Sequence, residues 1–388
     1  MLKIGVILGG ESVEHEVSII SAVQAMNKLD SSKYEIIPIY IMKDGTWRSG
    51  EMLKEIESYR DMSLLKRYTK EVVLTKIKND FVLLTKGFFK RVYKEVDFIL
   101  PVVHGTSVED GVLQGYLETV GIPFAFSGVY ASSLAQDKVA QRAIYKVNNI
   151  HITKSVNFYD YEYKDNEKEI INKIEDLGYP VIVKPASLGS SIGIKIAKTR
   201  EELKVAIEDA IKYDSKILVE EALAHIREFN ISILGCEDEL EFSVVEEVGS
   251  KKDLLSFEDK YINGSKSKGM ASAKRDVPAK ISNKELDTIK DMASNAFRAL
   301  GMEGLARFDF MMDEKGTLYL NEVNSIPGSL SFYLWEPAGV SYTELLDRII
   351  KISLKMYKKR LDKVHSFKSN ILSGFSGTKG LKGTKGLK

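Results

Sequence analysis

Two carboxylates, an amide and a guanidinium recur at strand spacing late in the sequence, Arg307 and Asp309 in LARFDFMM and Glu322 and Asn324 in TLYLNEVN. Carboxylate and amide oxygens are hard donors of the kind that hold Mg²⁺ on nucleotide phosphates, and a guanidinium clamps anions in a fixed geometry. To act together the four must share a face. From Leu305 to Met312 the pattern alternates, with Arg307, Asp309 and Met311 on one side and Ala306, Phe308 and Phe310 on the other, which predicts a strand. Asp313-Glu314-Lys315-Gly316 is a polar link closed by glycine, and Thr317 to Val323 alternates again, so the two runs predict a hairpin. With Met312 paired to Thr317, Arg307 falls opposite Glu322 and Asp309 opposite Leu320, and Arg307, Asp309, Glu322 and Asn324 share one face. The other reading of such a face is an exposed, salt-bridged sheet surface. Asn324-Ser325-Ile326-Pro327-Gly328 follows without a break. It is a rigid turn whose backbone N–H groups can hold an anion or a developing oxyanion.

A second group of anion-binding residue types lies upstream. Val181 to Pro185 is a strand ending in Lys184-Pro185, then Ala186 to Ser191 form a small-residue loop, and Ile192 to Ala197 a further strand. Gly189, Ser190, Ser191 and Gly193 can fold over phosphates with free N–H groups, with Lys184 as a point charge. By composition alone this is an ordinary Gly/Ser hairpin. Residues 256–278 are polar and rich in Gly, Ser and Lys, which predicts a lid. Their basic residues and the adjoining Lys280 also fit a nucleic-acid patch, but beyond Tyr261 no aromatic platform is interleaved.

The elements that must carry these residues are those of an α/β chain. Lys3 to Leu8, the turn Gly9-Gly10, a helix with Ile19, Ile20, Val23, Met26 and Leu29 at helical spacing, and the strand Tyr34 to Ile41 form a βαβ opening that implies a parallel sheet. The glycines at 5, 9 and 10 match neither the dinucleotide fingerprint nor the P-loop, which argues against an NAD-type oxidoreductase. Glu14-His15-Glu16-Val17-Ser18 puts carboxylates at the helix start, where they also complement the helix dipole. Residues 51–94 are charged and read as a peripheral elaboration. With 388 residues, 44% hydrophobic and 29% charged, the chain has material for two or three domains. A net charge of +1 gives no electrostatic case for nucleic-acid or membrane partners, and the single Cys236 excludes a disulfide framework. Met1-Leu2-Lys3-Ile4 enters a strand directly, without the pattern of a signal peptide, so the expected location is cytoplasmic. The last residues repeat GTKGLK and read as a flexible basic tail.

ARFDF followed by NEVNSIPG resembles the C-terminal signature of the ATP-grasp ligases, most closely of the D-alanine–D-alanine ligase family. Other motifs follow in family order over roughly residues 1–350. The Glu-Val-Ser at the first turn is similar to one whose Glu contacts the ammonium of the first amino acid, implying Glu16 and Ser18. His104-Gly105, then Glu109-Asp110-Gly111, match a substrate-side loop in which Ser107-Val108 replaces the more usual Gly-Gly. The Asp137-Lys138 pair resembles one whose Lys reaches the nucleotide phosphates, as does Lys184, and Ser190 matches a serine that helps hold substrate, with Ser191 beside it. Glu220, Glu221 and Leu223 correspond to the hinge strand along the adenine edge, and Glu228 to the carboxylate on the ribose hydroxyls. Lys260-Tyr261 fits a pair in which Lys reaches the γ-phosphate and Tyr closes over substrate. At the turn for the terminal carboxylate, a Ser-Leu pair is usual and this chain has Tyr333-Leu334.

The resemblance implies a three-domain ATP-grasp architecture: an N-terminal parallel-sheet α/β domain over 1–134, a central domain over 135–224, a C-terminal domain over 225–362 with the lid 256–278, and the tail 363–388. It implies a homodimeric, MgATP-dependent ligase, with Mn²⁺ an alternative ion, held by Asp309, Glu322 and Asn324. That ligase joins D-alanine to a second D-amino acid through an acyl phosphate, for peptidoglycan precursors. Arg307 and the Gly328 N–H would hold the oxyanion, and Glu16, Ser190 and Tyr261 the first ammonium. The alternatives are a D-alanine–D-serine or other amino-acid ligase, and, from another class, a non-catalytic nucleotide-binding regulator, which would be expected to have lost the metal ligands.

Overall fold

The computed structural model describes residues 1–87, 89–189, 192–237, 239–249 and 275–364. β1 (Leu2–Gly9) turns into α1 (His15–Met26) and returns as β2 (Tyr34–Ile41), which pairs with β1 in parallel from Leu2 opposite Tyr34 to Gly9 opposite Ile41. Gly9 takes φ +84°, and a Cβ there would stand 2.2 Å from the Ile41 carbonyl oxygen, so the turn requires glycine. β3 (Trp47–Ser49) folds back on β2, and α2 (Met62–Tyr68) leads to β4 (Lys70–Ile77), β5 (Asp80–Thr85) and β6 (Val92–Glu95), an antiparallel run. β7 (Phe98–Pro101) then pairs in parallel with the other side of β1, giving the order β6-β5-β4-β3-β2-β1-β7.

Residues 51–94 are therefore no peripheral elaboration. Their strands extend the main sheet, and Leu53, Leu65, Val72, Leu74 and Leu83 are buried in the same core as Ile4, Ile7 and Phe98. The charge that suggested a periphery lies on the other positions of an alternating pattern. Because β1 has parallel neighbours on both sides, the loops leaving β1 and β7 at their carboxyl ends diverge and leave a crevice between them.

α3 (Val112–Val120), α4 (Val129–Gln136) and α5 (Lys138–Val147) follow. The Asp137 carboxylate caps α5 by accepting from the Val139 and Ala140 N–H groups at 2.9 and 3.1 Å, which fixes Lys138 at the head of the helix. A four-stranded antiparallel sheet comes next, formed by β8 (Ser155–Tyr159), β9 (Val181–Pro185), β10 (Lys195–Ala197) and β11 (Lys216–Glu221) in the order β10-β9-β11-β8. α6 (Asp160–Glu175) and α7 (Arg200–Ala210) bury Ile170, Ile174, Leu203 and Ile207 against Val181, Val183, Ile217 and Val219.

The third sheet holds β12 (Arg227–Cys236), β13 (Glu239–Phe242), β14 (Glu246–Val248), β15 (Arg275–Asp276), β16 (Glu303–Met312) and β17 (Leu318–Asn324). Its order is β15-β14-β12-β16-β17, with β13 also on β12. α8 (Asn283–Ala299), begun by a capping box in which Ser282 and Glu285 exchange side-chain-to-backbone bonds, lays Ile289, Ala293 and Phe297 on Phe229, Phe308 and Phe310. The short α9 (Phe332–Trp335) and the long α10 (Tyr342–Leu361) complete the chain.

The cores divide the sequence differently from the expected boundaries at 134 and 224. Ala135, Tyr145 and Ile150 pack in the core of the third sheet, and Trp335, Leu345, Leu346, Ile349 and Ile350 pack in the core of the first. Only residues between about 156 and 219 form the middle core. The apolar faces of α4, α5 and α10 find their partners across the chain rather than in their sequence neighbours.

Candidate active site

The hairpin forms, in another register. Met312 pairs with Leu318 rather than Thr317, Phe310 with Leu320, Asp309 with Glu322 and Arg307 with Asn324, with a shift between Asp309 and Phe310. Strict alternation would have forced either Leu318 and Leu320 onto the polar face or Glu322 into the core. The β-bulge at Asn321 lets Leu318, Leu320 and Val323 all point inward while Asn321, Glu322 and Asn324 stay on the open side. The expected common face therefore survives the change of register. Arg307 grips Asp309 with both ends of its fork, Nε to Oδ1 and Nη2 to Oδ2 at 2.7 Å each, and Asn324 Nδ2 donates to Asp309 Oδ2 at 3.1 Å. Burial opposes the charge on Arg307, but Asp309 more than offsets it and holds the guanidinium well above its usual range.

Among the described residues no group of three or more His, Cys, Asp or Glu side chains is gathered as a metal cage. The donor set here is two carboxylates and an amide, which suits an ion that takes one or two protein carboxylates and completes its shell with substrate oxygens and water. Mg²⁺ fits that set of donors.

Two lysines reach this face. Lys138 Nζ donates to the Leu188 carbonyl at 2.7 Å and lies 3.5 Å from Glu322 Oε2. The backbone N–H of Lys138 and the amide of Gln136 also bind the loop after β9, at Ala186 and Ser187. Lys184, from β9, is ion-paired with Glu220 of β11 and is 3.4 Å from Asn321 Oδ1. Burial lowers its pKa to about 7 against the pull of Glu322. Glu220 is buried and pairs with Arg142 as well. Glu221 turns its carboxylate to the Lys154 N–H at 2.8 Å, so it offers backbone rather than side chain at the end of β11. Leu223 lies half-buried just beyond, and Glu228, exposed at the start of β12, acts electrostatically on Lys184.

At the crevice the structure changes one assignment. Glu16 points outward and pairs with Lys43 at 2.5 Å. Glu14 is the buried carboxylate: a Cβ on Gly189 would stand 2.8 Å from its Oε2, and one on Gly105 3.0 Å, so it lies against the backbones of both loops. Two carboxylates at a helix start cannot both face inward, and packing selects the one before the first turn. Ser18 is wholly buried, accepting from the His104 N–H at 2.8 Å and donating to the Glu14 carbonyl.

His104 Nδ1 meets the Ile326 carbonyl at 2.9 Å, so Nδ1 carries the proton and Nε2 accepts from the Ser21 hydroxyl at 2.9 Å. Burial lowers its pKa to about 4, keeping the ring neutral. Glu109 accepts from the Ile326 N–H at 2.9 Å, the Ser325 hydroxyl at 3.2 Å and the Gly105 N–H at 3.1 Å. Burial, with the Glu14 charge adding to it, pushes its carboxyl up to about 7. Both residues thus fasten the turn that carries Gly328, beside which a Cβ would meet nothing within 4 Å. Tyr333 lies under the Arg275 guanidinium, 5.7 Å from the ring centroid, and Arg275 is held by Glu246 at 2.9 Å. Leu334 is fully buried and belongs to the core, its carbonyl accepting from the Val244 N–H.

Ser190, Ser191, Lys260, Tyr261, the lid as far as 274 and the tail from 365 lie outside the described residues. Sequence reasoning gave no site role to Glu14, which it noted only as a helix-start carboxylate, or to Arg275, and passed over Arg142 and Ser21. For Arg142 there was a signal, since it stands four residues after Lys138 and so on the same face of α5.

Two family models match the chain, one described as D-ala D-ala ligase N-terminus over residues 3–127 and one as D-ala D-ala ligase C-terminus over residues 144–351. The chain is 37% identical over 372 residues to the D-alanine–D-alanine ligase of Thermosipho melanesiensis, covering 96% of this chain and 98% of that one. Its structure is similar to that of the D-alanine-D-alanine ligase from Coxiella burnetii (TM-score 0.78, 26% identity, 93% of this chain and 97% of the other). It is also similar to the VanG D-Ala:D-Ser ligase from Enterococcus faecalis (TM-score 0.76, 31% identity, 91% and 99%).

Proposed function

The chain belongs to the D-alanine–D-alanine ligase family, and we propose that it uses ATP to join D-alanine to a second D-amino acid, D-alanine or D-serine, for peptidoglycan precursors. The observation that carries this reading is the convergence of Lys138 and Lys184 on the hairpin face of Arg307, Asp309, Glu322 and Asn324.

A carboxylate is a poor electrophile and must be activated. An oxygen of the first D-alanine attacks the γ-phosphorus, the bond to ADP breaks, and an acyl phosphate forms. The amine of the second amino acid then attacks the acyl carbon and phosphate leaves, the amine proton passing to a base. Lys138 and Lys184 hold phosphate oxygens, and Glu220, with the backbone around Glu221 and Leu223, meets the base of the nucleotide, while Glu228 takes the ribose. Asp309, Glu322 and Asn324 would hold Mg²⁺, which supplies charge neutralisation on the phosphates. Glu14 holds the first ammonium. Arg307 and the Gly328 N–H face the position of the tetrahedral oxyanion, where preorganised donors stabilise developing charge.

D-Serine enters as a second substrate because Tyr333 stands at the terminal-carboxylate turn and because a D-Ala:D-Ser ligase is among the structural relatives. No helix of the described residues is long and apolar enough to cross a membrane. A cytoplasmic location belongs to the same reading. A homodimer without nucleic-acid or membrane partners completes the reading, and light scattering tests it.

Phosphate release from ATP across a panel of D- and L-amino acids tests the function. Release is expected with D-alanine alone and with D-alanine plus D-serine. ATP consumption only with L-amino acids would overturn the substrate assignment.

A further inference from the structure

Glu220 has two cationic partners, and they are held in different ways. Arg142 is buried, and besides pairing with Glu220 it donates through Nη1 to the Thr153 carbonyl at 2.9 Å and through Nη2 to the Thr153 hydroxyl at 2.7 Å. Thr153 is itself buried, two residues before Ser155, which lies opposite Glu220 in the sheet. The guanidinium is therefore locked by three bonds in a fixed plane. Lys184 stands on a long flexible stem between two carboxylates, paired with Glu220 on one side and drawn by Glu322 on the other. It is the partner free to exchange.

We propose that Arg142 is a positioning residue, the resident counter-ion that keeps Glu220 charged and aimed when Lys184 turns to the nucleotide phosphates. This rests on the reading of Glu220 as the carboxylate that meets the base. A buried carboxylate left without a cation takes up a proton instead of staying charged. A protonated Glu220 would lose its strong acceptor for an exocyclic amine, and with it the preference for adenine. Arg142 thus couples phosphate binding to base recognition without touching the nucleotide.

The test compares ATP with inosine triphosphate, whose base carries a carbonyl where adenine carries the amine. The full chain is assayed by phosphate release with saturating D-alanine, as wild type and as Arg142→Met, Arg142→Lys and Thr153→Val. Arg142→Met is expected to raise KM for ATP about tenfold or more, the scale of a lost hydrogen bond to a charged group, with a smaller change for inosine triphosphate and for kcat. Arg142→Lys should restore part of the discrimination. Thr153→Val should move it the same way by a smaller factor, and serves where Arg142→Met does not fold. Equal loss with both nucleotides, or an unchanged ratio in a folded Arg142 or Thr153 variant, overturns the proposal. Absence of D-alanine-dependent turnover in the wild type would instead overturn the functional reading.

Discussion

His104 Nδ1 donates to the carbonyl of Ile326 across 2.9 Å, joining residues 222 positions apart in the sequence. Glu109, from the same loop, reaches across a similar gap in sequence to accept from the Ile326 N–H and the Ser325 hydroxyl. One short turn is thus gripped from two sides by the loop that follows β7. The motif resembles a substrate-side loop, but both side chains are spent on holding the turn that carries Gly328 in place.

Glu109 should make stability fall with rising pH. Its folded pKa, about 7, is above the ordinary carboxylate value, so the folded state binds more protons between about 4.5 and 7. The stability this provides is complete below the unfolded pKa and is lost as pH rises through 7. Denaturant unfolding of wild type and Glu109→Gln at pH 5 and pH 8 should show the wild type's margin shrinking by roughly 1–3 kcal/mol. A margin that is constant with pH would refute the titration.

Glu14 and Glu16 should separate cleanly. Glu14→Gln is expected to raise KM for D-alanine about tenfold or more, as for a lost charge-assisted bond, with KM for ATP nearly unchanged. Glu16→Gln removes an exposed pair with Lys43 and should leave both constants within about twofold. If the two variants behave alike in steady-state kinetics, the assignment to Glu14 is wrong.

Glu322→Gln should cut phosphate release by about 10²-fold or more while circular dichroism and melting temperature stay close to wild type. The substitution is nearly isosteric on an open sheet face, so no cavity forms. Wild-type turnover would remove Glu322 from the metal set.

Tyr333→Ser removes the ring beneath Arg275 and opens space at the turn. The choice of second substrate should shift while ATP affinity holds, because a polar site rejects a partner that leaves its groups unpaired. Mass spectrometry of the dipeptides formed from a D-alanine and D-serine mixture measures the ratio. An unchanged ratio would exclude Tyr333 from specificity.

The hairpin was legible because alternation and a glycine-closed link survive any small register error. Its true register was hidden, since a bulge at Asn321 is chosen by where Leu318, Leu320 and Val323 must go, not by local sequence. Residues Val72 to Leu84 alternate as strands do, but nothing local says that they join the first sheet. Glu14 and Glu16 look alike in sequence, and the fold distinguishes them by seating Glu14 against Gly105 and Gly189 and leaving Glu16 outside on Lys43. Arg142 was missed because its meaning depends on Glu220, which the fold brings to it from a separate strand.

α10 lends Tyr342, Leu345, Leu346, Ile349 and Ile350 to a core whose sheet begins at Leu2. A ribosome making this protein has therefore emitted every strand of the first sheet long before the helix that contributes to its core exists. During that interval the apolar cluster begun in the first sheet waits without its C-terminal members, contacts of high sequence separation that slow the final step. Early chain and late chain must meet before either is finished, so the N-terminal third, released alone, lacks part of its own interior.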